Sequence, residues 1–162
     1  DLHLCDRRQR QMCIRDRYKE KIKILHLCFS TDPFMYGQKE VIDSSLKIVR
    51  RLSEENIPCS ILTKGILPRE LANCSKKNEY GITIVTLDEE YRKIAEPGAA
   101  SIRDRIGALR YLKEKGYKTW VSIEPFPTPN IHAEDLMDIL EAVSFVDKII
   151  FGRLHYNKKV SE

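Results

Sequence analysis

The sequence is poor in cysteine and has no long apolar run. Its five cysteines are an odd number, spread too widely over 162 residues for a disulfide scaffold. No two of them have the C-x-x-C spacing of a zinc or redox site, and no three form an iron–sulfur loop. Every apolar run is far shorter than the ~20 residues that cross a bilayer. We therefore expect a protein of the reducing cytoplasm with no membrane partner.

A strong charge excess and a glycine-rich phosphate loop are also missing. The 28 basic and 24 acidic residues leave a net charge of +4, which is too small and dispersed to indicate a nucleic-acid groove by itself. The absence of G-x-G-x-x-G and Walker motifs leaves the common kinds of nucleotide binding unsupported. With 42% hydrophobic residues, seven glycines and seven prolines, the composition is that of one folded domain with a core.

The first seventeen residues differ from the rest of the chain. Residues 1–17 read DLHLCDRRQRQMCIRDR, with five arginines and three aspartates but no strand alternation and no clean helical stripe. The segment lacks the apolar middle of a signal peptide. We predict a non-native, adapter-derived or disordered tail at 1–17, followed by one domain over 18–162. The alternative is a basic arm that binds nucleic acid.

Strand-type and helix-type segments alternate from residue 21 onward. Short apolar, β-branched segments predict strands at 21–30, 58–63, 81–86, 119–124 and 146–152. Amphipathic spacing predicts helices at 41–56, 68–75, 101–115 and 132–143, with a further helix starting at Asp88. This order predicts an α/β fold with a parallel sheet and outer helices. Periodicity alone leaves open whether the sheet closes into a barrel.

Polar side chains occur at the carboxyl ends of the predicted strands. Parallel α/β folds bind their ligands there, because loops and helix N-termini converge at that edge. A single hydroxyl at such a position is usually a helix cap, but agreement among several strands favours a shared ligand site. The candidate binding residues are Ser30, Thr31, Asp32, Lys64, Thr83, Ser122 and Glu124.

Lys64 is the most informative of these residues. An ammonium placed directly after a buried strand loses hydration unless an anion such as a carboxylate meets it, although a lysine there can also extend to solvent. Asp32 either caps the following helix or holds a ligand hydroxyl. Glu96 lies in a Glu-Pro-Gly turn and Arg105 in the next helix, so we expect an ion pair that ties the loop to the helix.

Several sequence blocks occur together in a recognisable order. They are STDPF at 30–34, ILTKG at 61–65, ITIVTLDEEYRKIAEPGAAS at 82–101, DRIGALRYLKEKGY at 104–117 and VSIEPFPTPN at 121–130. In this order they resemble the spore photoproduct lyase-related branch of the radical S-adenosylmethionine (SAM) superfamily. The resemblance implies a partial (β/α)6 TIM-like barrel, with the predicted strands as its second to sixth.

The same resemblance implies cofactors and an activity. Members of this family use a [4Fe-4S] cluster and SAM to generate a 5′-deoxyadenosyl radical, for chemistry of the lyase or transferase type. Their C-x-x-x-C-x-x-C loop would precede residue 18 and is absent from this sequence. We therefore expect an N-terminally truncated, inactive fragment of such an enzyme, with no metal ligands of its own and an unknown substrate.

The resemblance also implies roles for individual residues. Lys64 matches the lysine that meets the SAM carboxylate, and Glu96 and Arg105 match positions that fix the barrel rim. Thr31 and Thr83 match hydroxyl or small polar positions around the same ligand, and Ser30 and Asp32 match the strand-end block that faces it. Ser122 and Glu124 are candidates from their strand-end positions alone.

One position departs from the lyase pattern. Phe29 occupies the place of the lyase's hydrogen-donating cysteine, and Cys28 is one residue away, on the opposite face of the strand. This departure argues against spore photoproduct repair as the activity. Two alternatives from other classes remain: a cofactor-free α/β binding or scaffold domain, and a nucleic-acid-binding module.

Overall fold

Strands and helices alternate along the chain as predicted. The computed structural model describes residues 21–27 and 31–154, so the predicted tail at 1–17 lies outside the described residues. The strands are β1 (Leu25–Leu27), β2 (Cys59–Thr63), β3 (Glu79–Thr83), β4 (Lys118–Phe126) and β5 (Lys148–Arg153). The helices are α1 (Lys39–Glu54), α2 (Glu89–Ala95), α3 (Ile102–Glu114) and α4 (Leu136–Ala142), with a 3-10 helix at Arg69–Asn73.

The five strands form one parallel sheet in chain order, β1-β2-β3-β4-β5. Ile61 of β2 pairs with Tyr80 of β3, and Ile82 of β3 pairs with Val121 of β4. Each connection between neighbouring strands carries a helix, as parallel pairing requires. The predicted α/β class and the open, partial-barrel form of the sheet are confirmed.

Four predicted boundaries are wrong. β1 begins at Leu25 rather than at residue 21. β3 ends at Thr83 rather than at Thr86, because the Thr86 hydroxyl accepts the backbone N–H of Asp88 in the turn that begins α2. Helix α4 begins after Asp135, whose side chain accepts the N–H of Met137, so His132 lies in a loop. The segment predicted as a helix at 68–75 contains only the short 3-10 turn.

The hydrophobic core lies between the sheet and its helices. Alternate positions of the strands face it, as the two-residue period of a strand dictates. From the helix side, α1 and α3 contribute their apolar stripes. The central buried residues are Leu46, Val49, Cys59, Ile61, Tyr80, Ile82, Leu109, Leu112, Val121 and Ile123. None of the helices within residues 21–27 and 31–154 is long and apolar enough to cross a membrane.

On the other face of the sheet, Trp120 lies across Gly81. The two residues are direct neighbours in the β3–β4 ladder. A Cβ atom at Gly81 would come within 2.5 Å of the Trp120 ring, so only glycine leaves room for the indole. Thr83 and Ser122 follow two residues later on the same face, and Thr83 is the last residue of β3. Gly81 therefore allows Trp120 to pack on the face of the sheet that also carries Thr83 and Ser122.

Gly81→Ala is expected to destabilise the fold by about 1–3 kcal/mol, because the added methyl overpacks against Trp120. Gly107→Ala is the matched control. Gly107 lies inside α3 with nothing within 4 Å of an added Cβ, so alanine there stabilises the protein by up to ~1 kcal/mol. Urea unfolding followed by circular dichroism measures both changes. Equal effects of the two substitutions would contradict this account of the packing.

Candidate functional site

A buried carboxylate shared by two cations organises the carboxyl end of the sheet. Glu96 follows α2, and its side chain is 3% exposed. Its Oε2 lies 3.0 Å from Nη1 of Arg105 in α3, and its Oε1 lies 2.8 Å from Nζ of Lys64 at the end of β2. The predicted Glu96–Arg105 ion pair is present. The structure adds Lys64 to it.

Arg105 joins this network to the central strand. Its Nη1 also donates a hydrogen bond of 2.7 Å to the carbonyl oxygen of Thr83, the last residue of β3. The whole side chain is buried, and its Nε has no acceptor among the described residues. A buried guanidinium needs an ionised partner, since removing it from water without one is very costly. Glu96 is that partner.

The loop that carries Glu96 is held at both ends by local interactions. Asp88 caps α2 by accepting the N–H groups of Glu90 and Tyr91, and Ser101 caps α3 by accepting the N–H of Asp104. Between the helices, the N–H of Ala100 donates a 2.9 Å hydrogen bond to the carbonyl oxygen of Lys64. The loop is therefore fixed against the end of β2.

A second tie across this loop comes from Glu89 and Arg92. Glu89 accepts the backbone N–H of Ile102 and a hydrogen bond from Arg92, which also donates to the carbonyl of Ala99. Burial alone would raise the pKa of Glu89, but Arg92 and the Ile102 N–H outweigh it and hold that pKa below its usual range. The carboxylate is thus ionised where it braces the loop.

Asp32 positions Lys64 rather than capping a helix. Its Oδ1 accepts the N–H of Phe34 at 2.9 Å, its Oδ2 accepts the N–H of Lys64 at 2.7 Å, and the Thr63 hydroxyl donates to it as well. Helix α1 begins at Lys39, and no side chain caps it at the N-cap residue Gln38, so the capping interpretation is wrong. Asp32 instead fastens the segment after β1 to the end of β2.

A pocket of about 250 Å³ adjoins the Lys64 ammonium. Lys64 is 44% exposed, and Glu96 is its only ionic partner among the described residues. An ammonium has three N–H donors, so donors remain available to a bound anion. The pocket is lined by Asp32, Met35, Tyr36, Lys64, Glu96, Pro97, Gly98 and Ala99.

Of the other candidates, Thr83 and Ser122 are brought together. They are paired in the β3–β4 ladder and both are buried. Lys64 follows Thr63, which pairs with Ile82, and so lies at the level of Thr83. These three residues share one level of the sheet.

The remaining candidates lie farther from this level. Glu124 is exposed near the end of β4, beside Gly152, where a Cβ would come within 2.5 Å of its Oε1. Thr31 is exposed in the segment after β1. Ser30 lies outside the described residues.

A second carboxylate cluster at the rim was not predicted. Glu134 accepts hydrogen bonds from the Thr86 hydroxyl and from the Leu87 N–H at 3.0 Å, and its Oε2 lies 3.1 Å from Nε2 of His132. The ring of Tyr91 stacks on His132 with centroids 3.8 Å apart. The available signal was the His-x-Glu spacing after the proline-rich loop, which the predicted helix at 132–143 obscured.

Tyr91 belongs to the surroundings of Glu134 through its stacking on His132. Burial raises the pKa of its phenol, and the negative charges of Glu134 and Glu96 raise it further. The phenol is therefore held in its neutral form.

The described residues do not fit an iron–sulfur cluster. Among them, no group of three or more His, Cys, Asp or Glu side chains is arranged to hold a metal ion. Burial is the main reason that the pKa of Cys59 rises to about 12, and it also raises the pKa of Cys74. Neither free thiol is poised as a thiolate ligand.

The strand order and the helices define a partial α/β barrel domain that carries polar and charged side chains at the carboxyl ends of its strands. The family profile of the Radical SAM superfamily matches residues 14–143. The match covers more than half of the sequence, and the chain belongs to this superfamily. The cofactors of the superfamily are a [4Fe-4S] cluster and SAM.

The individual relatives have low sequence identity to this chain. The chain is 28% identical over 127 residues to an uncharacterized protein, ORF301, of Acidianus two-tailed virus, a match that covers 76% of this chain and 41% of the viral protein. A spore photoproduct lyase mutant with bound AdoMet and dinucleoside spore photoproduct has the same fold, with a TM-score of 0.63 at 16% identity. That match covers 95% of this chain and 47% of the lyase.

SuiB from Streptococcus suis, bound to S-adenosylmethionine, is also similar in structure. Its TM-score is 0.59 at 17% identity, and the match covers 91% of this chain and 34% of SuiB. At this identity the likeness shows the fold. The chain spans less than half the length of each of these relatives.

Glu96→Gln is expected to destabilise the protein by about 3–5 kcal/mol, because it leaves the buried Arg105 guanidinium without a counter-charge. The matched control is Glu54→Gln, which removes an exposed ion pair with Arg51 and costs less than about 1 kcal/mol. Urea unfolding at neutral pH gives both values. Similar losses for the two variants would show that Glu96 does not hold the rim.

Proposed function

We propose that this chain forms the SAM-binding part of a radical SAM enzyme, and that Lys64 binds the carboxylate of SAM. The observation that carries the proposal is the position of the Lys64 ammonium. Glu96 holds it on one side at the end of β2, and its other donors remain available at a pocket. Membership of the superfamily supplies the ligand that suits this arrangement.

The charges around the pocket support a ligand with a carboxylate. Glu96 is shared between Lys64 and Arg105. The oxygens of Asp32, the other acidic group of the pocket lining, accept hydrogen bonds from backbone N–H groups and from Thr63. Lys64 is thus the group best able to attract an anion, and a charge-assisted hydrogen bond is about twice as strong as a neutral one.

The other candidate residues would complete the site. Thr83 and Ser122 offer hydroxyls at the level of Lys64, and the carboxylate of Glu124 lies farther along β4. SAM held by Lys64, Thr83 and Ser122 would take part in radical chemistry only together with a [4Fe-4S] cluster, for which the described residues offer no set of ligands. The part of this chain is to bind and orient SAM and to exclude water from it.

The proposal includes a cytoplasmic location, which the free thiols of Cys59 and Cys74 support. It does not extend to a nucleic-acid substrate. The basic segment that raised that alternative lies outside the described residues, and the dinucleoside photoproduct is a ligand of the solved lyase. The substrate on which the radical acts is not assigned.

Isothermal titration calorimetry of SAM into the full chain tests the role of Lys64. Lys64→Met is expected to weaken SAM binding by at least about tenfold, because a charged hydrogen bond contributes about 1.5–3 kcal/mol. Lys93→Met is the matched control, since Lys93 forms a similar ion pair with Glu90 on the exposed side of α2. This control should bind SAM as tightly as the wild type.

Thermal unfolding of both variants separates binding from folding. Because Glu96 keeps Arg105 as a partner, Lys64→Met should unfold within a few degrees of the wild-type chain. Equal SAM affinity of the Lys64 and Lys93 variants would reject the proposed site. Absence of SAM binding by the folded wild-type chain would favour the cofactor-free scaffold alternative.

A further inference from the structure

We infer that His132 and Glu134 form a general-base dyad at the rim, with Nδ1 of His132 as the atom that takes a proton from a hydroxyl-bearing substrate. The inference goes beyond the proposed SAM site and does not depend on SAM binding. It stands on the hydrogen bonds, stacking and exposure of one histidine. Both residues lie in the loop between β4 and α4.

Glu134 is fixed as an ionised acceptor. Its side chain is 8% exposed, its Oε1 accepts the Leu87 N–H at 3.0 Å, and its Oε2 accepts the Thr86 hydroxyl. The oxygen of that hydroxyl in turn accepts the Asp88 N–H at 2.9 Å, so its proton is directed to Glu134. A carboxyl group that accepts from every neighbour has no proton of its own to donate.

This acceptor determines which nitrogen of His132 carries the proton. Nε2 of His132 lies 3.1 Å from Oε2 of Glu134 and 3.9 Å from Oδ2 of Asp88. A nitrogen that faces carboxylates is protonated in the neutral and in the charged ring. In the neutral ring the lone pair is therefore on Nδ1, which has no hydrogen-bond partner among the residues the structure describes.

The ring is held in place while remaining open to solvent. Tyr91 stacks on it with an angle of 4° between the ring planes, which fixes its orientation. The side chain of His132 is 19% exposed, so part of the ring can be reached from outside. In many enzymes a histidine removes the proton of the nucleophile, and a buried carboxylate orients that histidine.

The dyad lies at the carboxyl end of the sheet, where parallel α/β folds bind their ligands. Its loop follows β4, and Glu134 is hydrogen-bonded to Thr86 and Leu87, which follow β3. In the proposed step an O–H proton passes to Nδ1 and the oxygen becomes the alkoxide. The resulting imidazolium is balanced by the charges of Glu134 and Asp88. Return of the proton to the product restores the neutral ring.

The tautomer of His132 in the wild-type chain is the first test. Long-range ¹H–¹⁵N NMR at about pH 8, above the usual range of histidine titration, should show the Nε2–H form. The His132 signals are assigned by their loss in His132→Asn. An Nδ1–H tautomer would overturn the inference, because the lone pair would then face Glu134.

The reactivity of Nδ1 is the second test. Diethylpyrocarbonate reacts with imidazole lone pairs, and mass spectrometry identifies the histidine that has been modified. His132 is expected to react readily, and Glu134→Gln should slow the reaction by about tenfold, since it removes the charged partner of Nε2. Failure of His132 to react in the folded wild-type chain would overturn the inference.

Asp88→Asn is the matched control for the charge of the cluster. Asparagine caps a helix as well as aspartate does, so α2 keeps its N-terminal hydrogen bonds. Because Asp88 lies 3.9 Å from Nε2, its loss should change the reactivity of His132 less than the loss of the Glu134 hydrogen bond does. If the two variants slowed the reaction of His132 equally, the negative charge around the ring, and not its hydrogen bond to Glu134, would be what activates it.

Discussion

The architecture of the rim depends on the buried carboxylate of Glu96. Arg105 is inaccessible to water, and Glu96, 3.0 Å away, supplies the counter-charge that its burial requires. The same pair of residues joins the loop after α2 to α3 and, through the Thr83 carbonyl, to the end of β3. With this loop in place, the second oxygen of Glu96 holds the ammonium of Lys64 at the mouth of a pocket.

A buried carboxylate fixes a loop at two places on the rim. At one side Glu96 fixes a loop through its ion pairs with Arg105 and Lys64, and at the other Glu134 fixes a loop by accepting from Thr86, Leu87 and His132. In each case the oxygens of a buried carboxylate contact groups of the fold. The nitrogen-bearing side chain beside it, Lys64 or His132, remains partly exposed. Functional groups held in this way are pre-organised, so little ordering is needed when a ligand binds.

Much of the fold could be predicted from local pattern, because strand alternation and helical stripes are set by near neighbours. Lys64 could be singled out from the desolvation of a cation after a buried strand, and the Glu96–Arg105 pair from the turn before a helix. The role of Asp32 depends on a contact with a segment 32 residues away, and such a contact leaves no periodic signal. His132 and Glu134 are only two residues apart, but the helix predicted at 132–143 obscures their pairing, and Thr86, which orients Glu134, is 48 residues away.

The most direct test of the central claim is a crystal structure of the chain with SAM. The account predicts the SAM carboxylate within hydrogen-bond distance of the Lys64 ammonium, with Glu96 still bound to both Lys64 and Arg105. A SAM molecule bound elsewhere, or a Lys64 side chain turned away from Glu96 and from the ligand, would contradict it.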